Sequence, residues 1–568
     1  MNIVARHSGA QKLHPHGVRA KILLCSVFGP YGVDDNFGSR RLNPMELYHN
    51  QVTRTQGAFS LRMFHRSWGI MMIQANISAP CMVLDFPTLE RFEDELRTQE
   101  YDVIGISSII PNTAKVREMC RLIRQYQPKA KIVIGGHIAN VPDLDSQVDA
   151  DYIVKGDGIE WFRRYLGENP QKPLRHPMII SGFGIRNVGV NLRDDVAATI
   201  IPSVGCPMGC NFCSTSAMFG GKGHSVNFYK TGDELFCVMR QIADGLKVRS
   251  FFMMDENFLL HKDRALRLLE LMEQHNKPWS LYVFTSARVL RSYTIDQLLR
   301  LGVSWVWMGL EGEDSQYEKL HGIDTFALVN ELQANGIHVL GSTIIGLENH
   351  TRENISDVID YAIRHDTDFH QFMLYTPIPG TPLHAELSEK GLMKHRGEYD
   401  PADIHGQKIL NYRHPQLSDE DTARIMVEAF DRDFTTNGPS TVRIVRTTLT
   451  GWLRHKNHPD PRVRDRIAWE SRNLPAKFSA LVGATERYFR GTPQIREKMS
   501  DLRARLAAEF GLKSKFFASV GGLWVRWLIG REERRLANGF LWEPKTFYEG
   551  NDAVLRNVRR IRCAEPLL

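Results

Sequence analysis

From residue 21 to about 167, short apolar runs alternate with stretches in which apolar residues recur every three or four positions. The runs at 22–25, 81–84, 103–106, 132–134 and 152–154 read as buried strands, and 89–97 and 116–126 as amphipathic helices. Continuous apolar strands separated by helices belong to a parallel sheet covered on both faces. Residues 21–170 are therefore expected to form an α/β, doubly wound, Rossmann-like domain behind a loose tail at 1–20. Pro and Gly with little periodicity make 171–195 a linker. The alternation then resumes, with strand runs at 197–201, 250–254, 279–285, 303–308, 337–345 and 371–376 and helical patterns such as 235–243, 265–272 and 355–363. Six such units are too few for a closed eight-fold barrel, so an open, partial (β/α)6 barrel is expected over 196–395, with its chemistry at the carboxyl ends of the strands. From about 395 the strand pattern stops, and 396–568 reads as a mostly helical region.

Composition adds limits. At about 150 residues per domain, 568 residues give three to four domains. With 42% hydrophobic and 24% charged residues, disordered and collagen-like chains are excluded. No run approaches the ~18 apolar residues that span a bilayer. The N-terminal MNIVARHSGAQKLHPHG has no apolar core of a secretory signal, so a cytoplasmic location is expected. Eight cysteines are too few for a disulfide framework, yet three of them fall within eight consecutive residues, the mark of a reduced, intracellular metal site.

The net charge of +7 is unevenly spread. Residues 434–568 hold 26 Lys and Arg against 13 Asp and Glu, a net of +13, which leaves −6 for the first 433 residues. Within that basic region 513–535 reads KSKFFASVGGLWVRWLIGREERR, where Phe516, Phe517, Trp524 and Trp527 stand beside Lys and Arg. Such a stretch suits an interfacial helix on the cytoplasmic face of a membrane, or equally a core helix packed on the barrel. Gly521 and Gly522 weaken it as a regular helix. The charge is spread over helices without a familiar RNA-binding module, so nucleic acid is not an expected partner.

The first barrel strand is followed by Cys206-Pro-Met-Gly-Cys210-Asn-Phe-Cys213. Three thiolates on one tight loop can each take one iron of a [4Fe–4S] cluster, and with no fourth Cys nearby one iron stays open for a small ligand. A zinc knuckle would need a fourth ligand, for which the nearest candidate is His224, eleven residues on.

This C-x3-C-x2-C motif, with the aromatic Phe212 just before the last Cys, resembles that of the radical S-adenosylmethionine (SAM) superfamily. The resemblance implies that SAM chelates the open iron and is cleaved by an electron from the cluster to a 5′-deoxyadenosyl radical. The segment 251–258, FFMMDENF, resembles the family's second-strand SAM motif and so places Asp255, Glu256 and Asn257 at the SAM ammonium. Read by themselves, Asp and Asn equally suit a helix N-cap. Ser286 and Arg288, after the third strand, resemble contacts to ribose and carboxylate. Gly309-Leu310-Glu311-Gly312 resembles a segment whose glutamate, here Glu311, faces SAM, and 341–346 resembles a small-residue strand beside the adenine. The run from Tyr375 to Leu383, YTPIPGTPL, resembles the closing segment of the B12-dependent and methylthiotransferase branches. Tyr375, at the end of the last strand, is the expected catalytic, substrate-facing position.

In the first domain Gly105 to Ser108, Gly135-Gly136-His137 and Gly156-Asp157-Gly158 directly follow predicted strands. Glycines and hydroxyls there let a ligand approach the sheet's switch point. No G-x-G-x-x-G opens the first helix, which disfavours a dinucleotide. The runs YDVIGISS, QPKAKIVIGGH and DYIVKGDGIEWF resemble the cobalamin-binding domain that precedes the barrel in B12-dependent radical SAM enzymes. That resemblance implies Ser107 and Ser108 at the dimethylbenzimidazole, Gly135, Gly136 and Gly156 along the nucleotide tail, and His137 near the corrin. The D-x-H-x-x-G signature is absent, so cobalt would lack a protein histidine on its lower face.

The family implies three cofactors, a [4Fe–4S] cluster, SAM and cobalamin, with an external electron donor of the flavodoxin or ferredoxin type. The implied reaction is radical methylation of an unactivated carbon in a small-molecule or lipid-like substrate, the methyl arriving by way of methylcobalamin. Two alternatives stay open: cyclisation, rearrangement or oxidation by the same architecture, and a non-catalytic iron–sulfur sensor or scaffold.

Overall fold

A computed structural model describes residues 13–191, 197–311, 320 and 322–551. Gly312 of the glutamate segment lies outside the described residues, as do 1–12 of the tail, 192–195 of the linker and 552–568 of the C-terminal region.

The first domain carries β1 (Ile22–Cys25), β2 (Arg62–Phe64), β3 (Cys81–Asp85), β4 (Val103–Ser107), β5 (Lys131–Gly135) and β6 (Tyr152–Ile153). Strands β3, β1, β4, β5 and β6 lie side by side in that order and are parallel. Alternate residues of β1 face opposite ways. Leu23 and Cys25 meet the helices Leu89–Thr98 and Thr113–Tyr126, while Ile22 and Leu24 meet Trp68–Asn76 and Gly158–Tyr165. The winding reverses between β1 and β4, which opens a crevice at their carboxyl ends. Residues 13–20 are not loose: His14 is buried, with its ring 5.4 Å from that of Tyr165.

The stretch read as a linker is also structured. Within it β7 (Phe183–Asn187) pairs antiparallel with β2, and β8 (Val190–Asn191) pairs with β7. Arg186 anchors this small sheet to the C-terminal region by donating twice to the buried Glu532 carboxylate, at 2.9 and 2.6 Å. Strands this short, paired across some 120 residues, leave no periodic trace in sequence.

The second alternation forms β9 (Ala197–Ile200), β10 (Ser203–Val204), β11 (Val226–Asn227), β12 (Ser250–Met253), β13 (Ser280–Phe284), β14 (Val303–Gly309), β15 (His338–Ile345) and β16 (Phe369–Leu374). Six of them make one parallel sheet in the order β9, β12, β13, β14, β15, β16. This is the open partial barrel the pattern predicts, with β9 and β16 as its edges. Capping boxes start two of its helices, Thr231 with Glu234 ahead of Gly232–Leu246 and Thr294 with Gln297 ahead of Ile295–Leu301. The inner wall is aromatic: Phe284 stacks on Trp307 at 4.9 Å, and Trp305 on His338 at 4.3 Å.

Beyond the barrel, the helices Asp419–Asn437 and Ser440–His455 pack against it, joined by a buried Arg443–Asp433 pair at 2.6 Å. The strands do not stop there as expected. β17 (Phe547–Gly550) runs antiparallel to β3 and extends the first sheet. It forms because β3 offers an open edge and Arg66 binds it, with the guanidinium 3.9 Å from the centre of the Phe547 ring and 3.1 Å from Glu549. Among the described residues no helix is long and apolar enough to cross a membrane.

Candidate functional site

The three cysteines occupy the turn between β10 and the helix Ser214–Met218. The turn is tight. Gly209 has φ +65°, and a Cβ there would lie 2.5 Å from the Lys222 Cα. Cys213 caps the following helix, its sulfur accepting from the Ser216 N–H at 3.5 Å, and the Ser216 hydroxyl donates back to the Cys206 carbonyl at 2.9 Å. Burial pushes the Cys206 thiol up to about 11, and the nearby Cys213, Cys210 and Glu256 push the same way. Burial raises Cys213 too. So many acidic groups together need a cation to ionise, which metal binding supplies. Among the described residues no three His, Cys, Asp or Glu side chains converge as ligands of one ion. The C-x3-C-x2-C spacing on one loop lets each thiolate take a different iron of a cluster. His224 is exposed and adds no fourth ligand.

The ends of β12, β13 and β14, the three strands that follow β9 in the sheet, form a rim beside this loop. At the end of β12, Asp255 is fully engaged: Arg264 pairs with it at 2.6 Å, both buried, while the Ser203 hydroxyl and the Asn257 N–H donate to it. Asp255 therefore holds the rim together, and the carboxylate free to meet a ligand is Glu256. Its Oε2 is buried without a hydrogen-bond partner. Burial, helped by the Asp255 charge, lifts Glu256 to about 7. Asn257 accepts from the Thr285 hydroxyl at 3.1 Å and places its amide 3.3 Å from the Met208 sulfur, which ties rim to cysteine loop. After β13, the Ser286 hydroxyl is buried and also lacks a partner. After β14, Glu311 is buried in the left-handed region at φ +49°, a strained conformation of the kind functional sites retain. Arg288 is exposed on the helix Ala287–Leu290. Gly341, in the segment expected beside an adenine, makes room for Leu310, which would lie 2.6 Å from an added Cβ.

Tyr375, the expected substrate-facing position, is turned toward the cysteine loop. It is buried, its ring packs edge-on to Phe212 at 6.1 Å, and its hydroxyl lies 3.4 Å from the Asn211 amide. Tyr375 thus backs the cysteine loop, of which Phe212 is a member, because the end of β16 lies directly against it.

At the carboxyl ends of the first sheet, a cavity of about 300 Å³ opens between the two domains. Ser107, Gly135, Gly136, His137 and Gly156 line one side. Gly136 has φ +81°, and a Cβ there would sit 2.5 Å from the Ser108 carbonyl oxygen. Ser108 thus contributes backbone, its hydroxyl turning to the Ile109 carbonyl at 3.2 Å. The opposite side comes from Thr215, Met218 and Phe219, directly after Cys213, and from Glu256. His137 lies 3.4 Å from the Ser214 hydroxyl, with burial lowering its pKa, and Asn140 donates to the Ser214 carbonyl at 3.1 Å. The cavity is sized for a planar base and its attachment, so it fits the nucleotide end of a cobalamin rather than a whole corrinoid. Sequence reasoning missed Trp68, Met218 and Phe219 on its walls. Trp68 carries a buried indole N–H without a partner. Its helix, WGIMMIQAN, is apolar almost all round, the one signal that it lies buried between layers.

Comparison with known proteins accords with this geometry. The radical SAM superfamily model matches residues 200–362, and the B12 binding domain model matches 55–166. An uncharacterised methyltransferase of Pyrococcus horikoshii is 25% identical over 322 residues, covering 50% of this chain and 68% of the relative. The bacteriochlorophyllide d C-8(2)-methyltransferase of Chlorobaculum tepidum is 24% identical over 360 residues, covering 58% and 77%. The radical SAM methyltransferase TsrM of Kitasatospora setae, solved with cobalamin and a [4Fe–4S] cluster, shares the fold at a TM-score of 0.50 and 16% identity, covering 80% of this chain and 99% of that one.

Proposed function

Because the chain belongs to the radical SAM superfamily and carries a B12-binding domain, we propose that it is a cobalamin-dependent radical SAM methyltransferase acting on an unactivated carbon of a small-molecule or lipid-like substrate. One observation carries the reading: a single cavity is walled on one side by the glycine-bearing strand ends of the B12-binding domain and on the other by the helix after Cys213 and by Glu256.

When bound, the cluster and the cobalamin supply an electron that cleaves SAM and a carrier for its methyl group. Cys206, Cys210 and Cys213 would hold the cluster, with Tyr375 and Phe212 fixing their loop. Glu256 would accept from the SAM ammonium, and a cation there returns its carboxyl to the ionised form. Ser286 would bond the ribose, with Glu311 beside it at the next strand end. Gly135, Gly136 and Gly156 would let the nucleotide tail lie against backbone, and Ser107 would line its base. Asn140, bonded to the Ser214 carbonyl, keeps the two walls in register. The aromatic inner face of the barrel excludes water from the reacting centre. Electrons would come from an external donor of the flavodoxin or ferredoxin type.

Anaerobic incubation of the reconstituted chain with SAM and dithionite tests the reading. Methyl transfer leaves S-adenosylhomocysteine, and reductive cleavage leaves 5′-deoxyadenosine. Both are expected with cobalamin present, and the first disappears when cobalamin is omitted. Deoxyadenosine alone from a cobalamin-loaded chain points to cyclisation, rearrangement or oxidation, and neither product points to a sensor.

A further inference from the structure

The C-terminal helices carry one face that no described part of the chain covers. Leu512, Phe516, Val520, Leu523, Trp524 and Trp527 are each between 54 and 84% exposed. They lie along Pro493–Phe516, a wide turn at Phe517–Gly521 and Gly522–Ala537, at spacings of mostly three and four, so they form one stripe about 22 Å long. The stripe cannot roll inward to bury itself, because the opposite side is locked. Ser514, Ala518, Gly522, Leu528 and Ile529 are buried. The helix Ser479–Tyr488 approaches so closely that a Cβ on Gly483 would lie 2.0 Å from the Ala518 carbonyl oxygen.

Charge says what covers the face. Residues 510–531 contain no Asp or Glu, whereas Lys513, Lys515, Arg526 and Arg531 flank the stripe. The Arg531 guanidinium sits 5.2 Å from the centre of the Trp527 ring, and both lysines are exposed. A second copy docked by two-fold symmetry would bring these cations toward one another with no acidic residue of the segment between them. An apolar stripe bearing two tryptophans and edged by Lys and Arg matches instead the boundary between acyl chains and anionic headgroups.

We propose that residues 511–531 dock the protein on the surface of an anionic lipid bilayer, with the six apolar side chains at the headgroup–acyl boundary and the basic residues among the headgroups. The helices lie in the plane of the surface and do not cross it. This surface is independent of the reaction proposed above.

The full reconstituted chain is sedimented with vesicles of phosphatidylcholine alone and of phosphatidylcholine with phosphatidylglycerol. Binding to the mixed vesicles is expected, weakening at high salt and much lower on phosphatidylcholine alone. Trp524→Glu with Trp527→Glu should reduce it by about tenfold or more, and Lys513→Glu with Lys515→Glu by roughly fivefold per lysine. Both variants alter exposed side chains and should keep the parent circular dichroism and SAM cleavage rate. The proposal is overturned if the parent stays in the supernatant with mixed vesicles, or if both folded variants still pellet like it. It also fails if light scattering shows a parent dimer that the tryptophan variant turns into a monomer, since a second copy then owns the face.

Discussion

The two walls of the interdomain cavity are built by opposite means. The wall from the first domain is backbone: glycines at the ends of β4, β5 and β6, with Gly136 placed where no side chain fits. The wall from the barrel is side chains: Thr215, Met218 and Phe219 on the helix that follows the cysteine turn, and Glu256, whose Oε2 is buried without a partner. A wall of backbone recognises shape and is damaged by adding atoms. A wall of functional groups recognises charge and is damaged by removing them. Two ligands of different chemistry can therefore share one cavity, each sensitive to a different kind of substitution.

The largest expected effect separates the walls outright. Cys210→Ala should leave no 5′-deoxyadenosine above background, while bound cobalamin, measured by absorbance after desalting, stays at the parent level. Next comes the reverse. Gly136→Val drives a side chain into the Ser108 carbonyl and into a left-handed backbone, at a cost of about 1–3 kcal/mol. Cobalamin retention should fall at least about tenfold with cluster iron unchanged, and equal loss of both would mean the walls are not separable. Glu256→Gln removes one charged hydrogen bond, worth about 1.5–3 kcal/mol. SAM affinity, read by equilibrium dialysis, should then weaken about ten- to hundredfold without loss of cobalamin. The smallest effect belongs to Tyr375→Phe, which keeps the ring on Phe212 and removes the hydroxyl that makes a long contact to Asn211. Cleavage of SAM should stay within about fivefold of the parent, since a neutral hydrogen bond contributes about 1 kcal/mol or less. A hundredfold loss would restore Tyr375 to the reacting centre.

The same contrast explains what the sequence reveals. The six barrel strands and the parallel strands of the first sheet are legible because burial on both faces forces continuous apolar runs. The cysteine turn is legible because cluster chemistry fixes its spacing. What escapes is whatever depends on distant partners. β2, β7, β8 and β17 are two to five residues long and exist only through pairing across the chain. Asp255 and Glu256 are neighbours in a motif, and only the buried Arg264, nine residues on, decides which of them is free. Tyr375 looks like a substrate contact by its place at a strand end, but packing against Phe212 makes it a support.

The most direct test of a shared two-walled cavity is the amount of cobalamin the chain keeps. After anaerobic reconstitution with iron, sulfide and hydroxocobalamin, followed by desalting, absorbance and iron analysis give both loadings in one sample. The account predicts about one cobalamin for each assembled [4Fe–4S] cluster, falling selectively in Gly136→Val. A parent protein that builds its cluster and cleaves SAM but emerges without cobalamin would contradict it, leaving the glycine wall without its ligand.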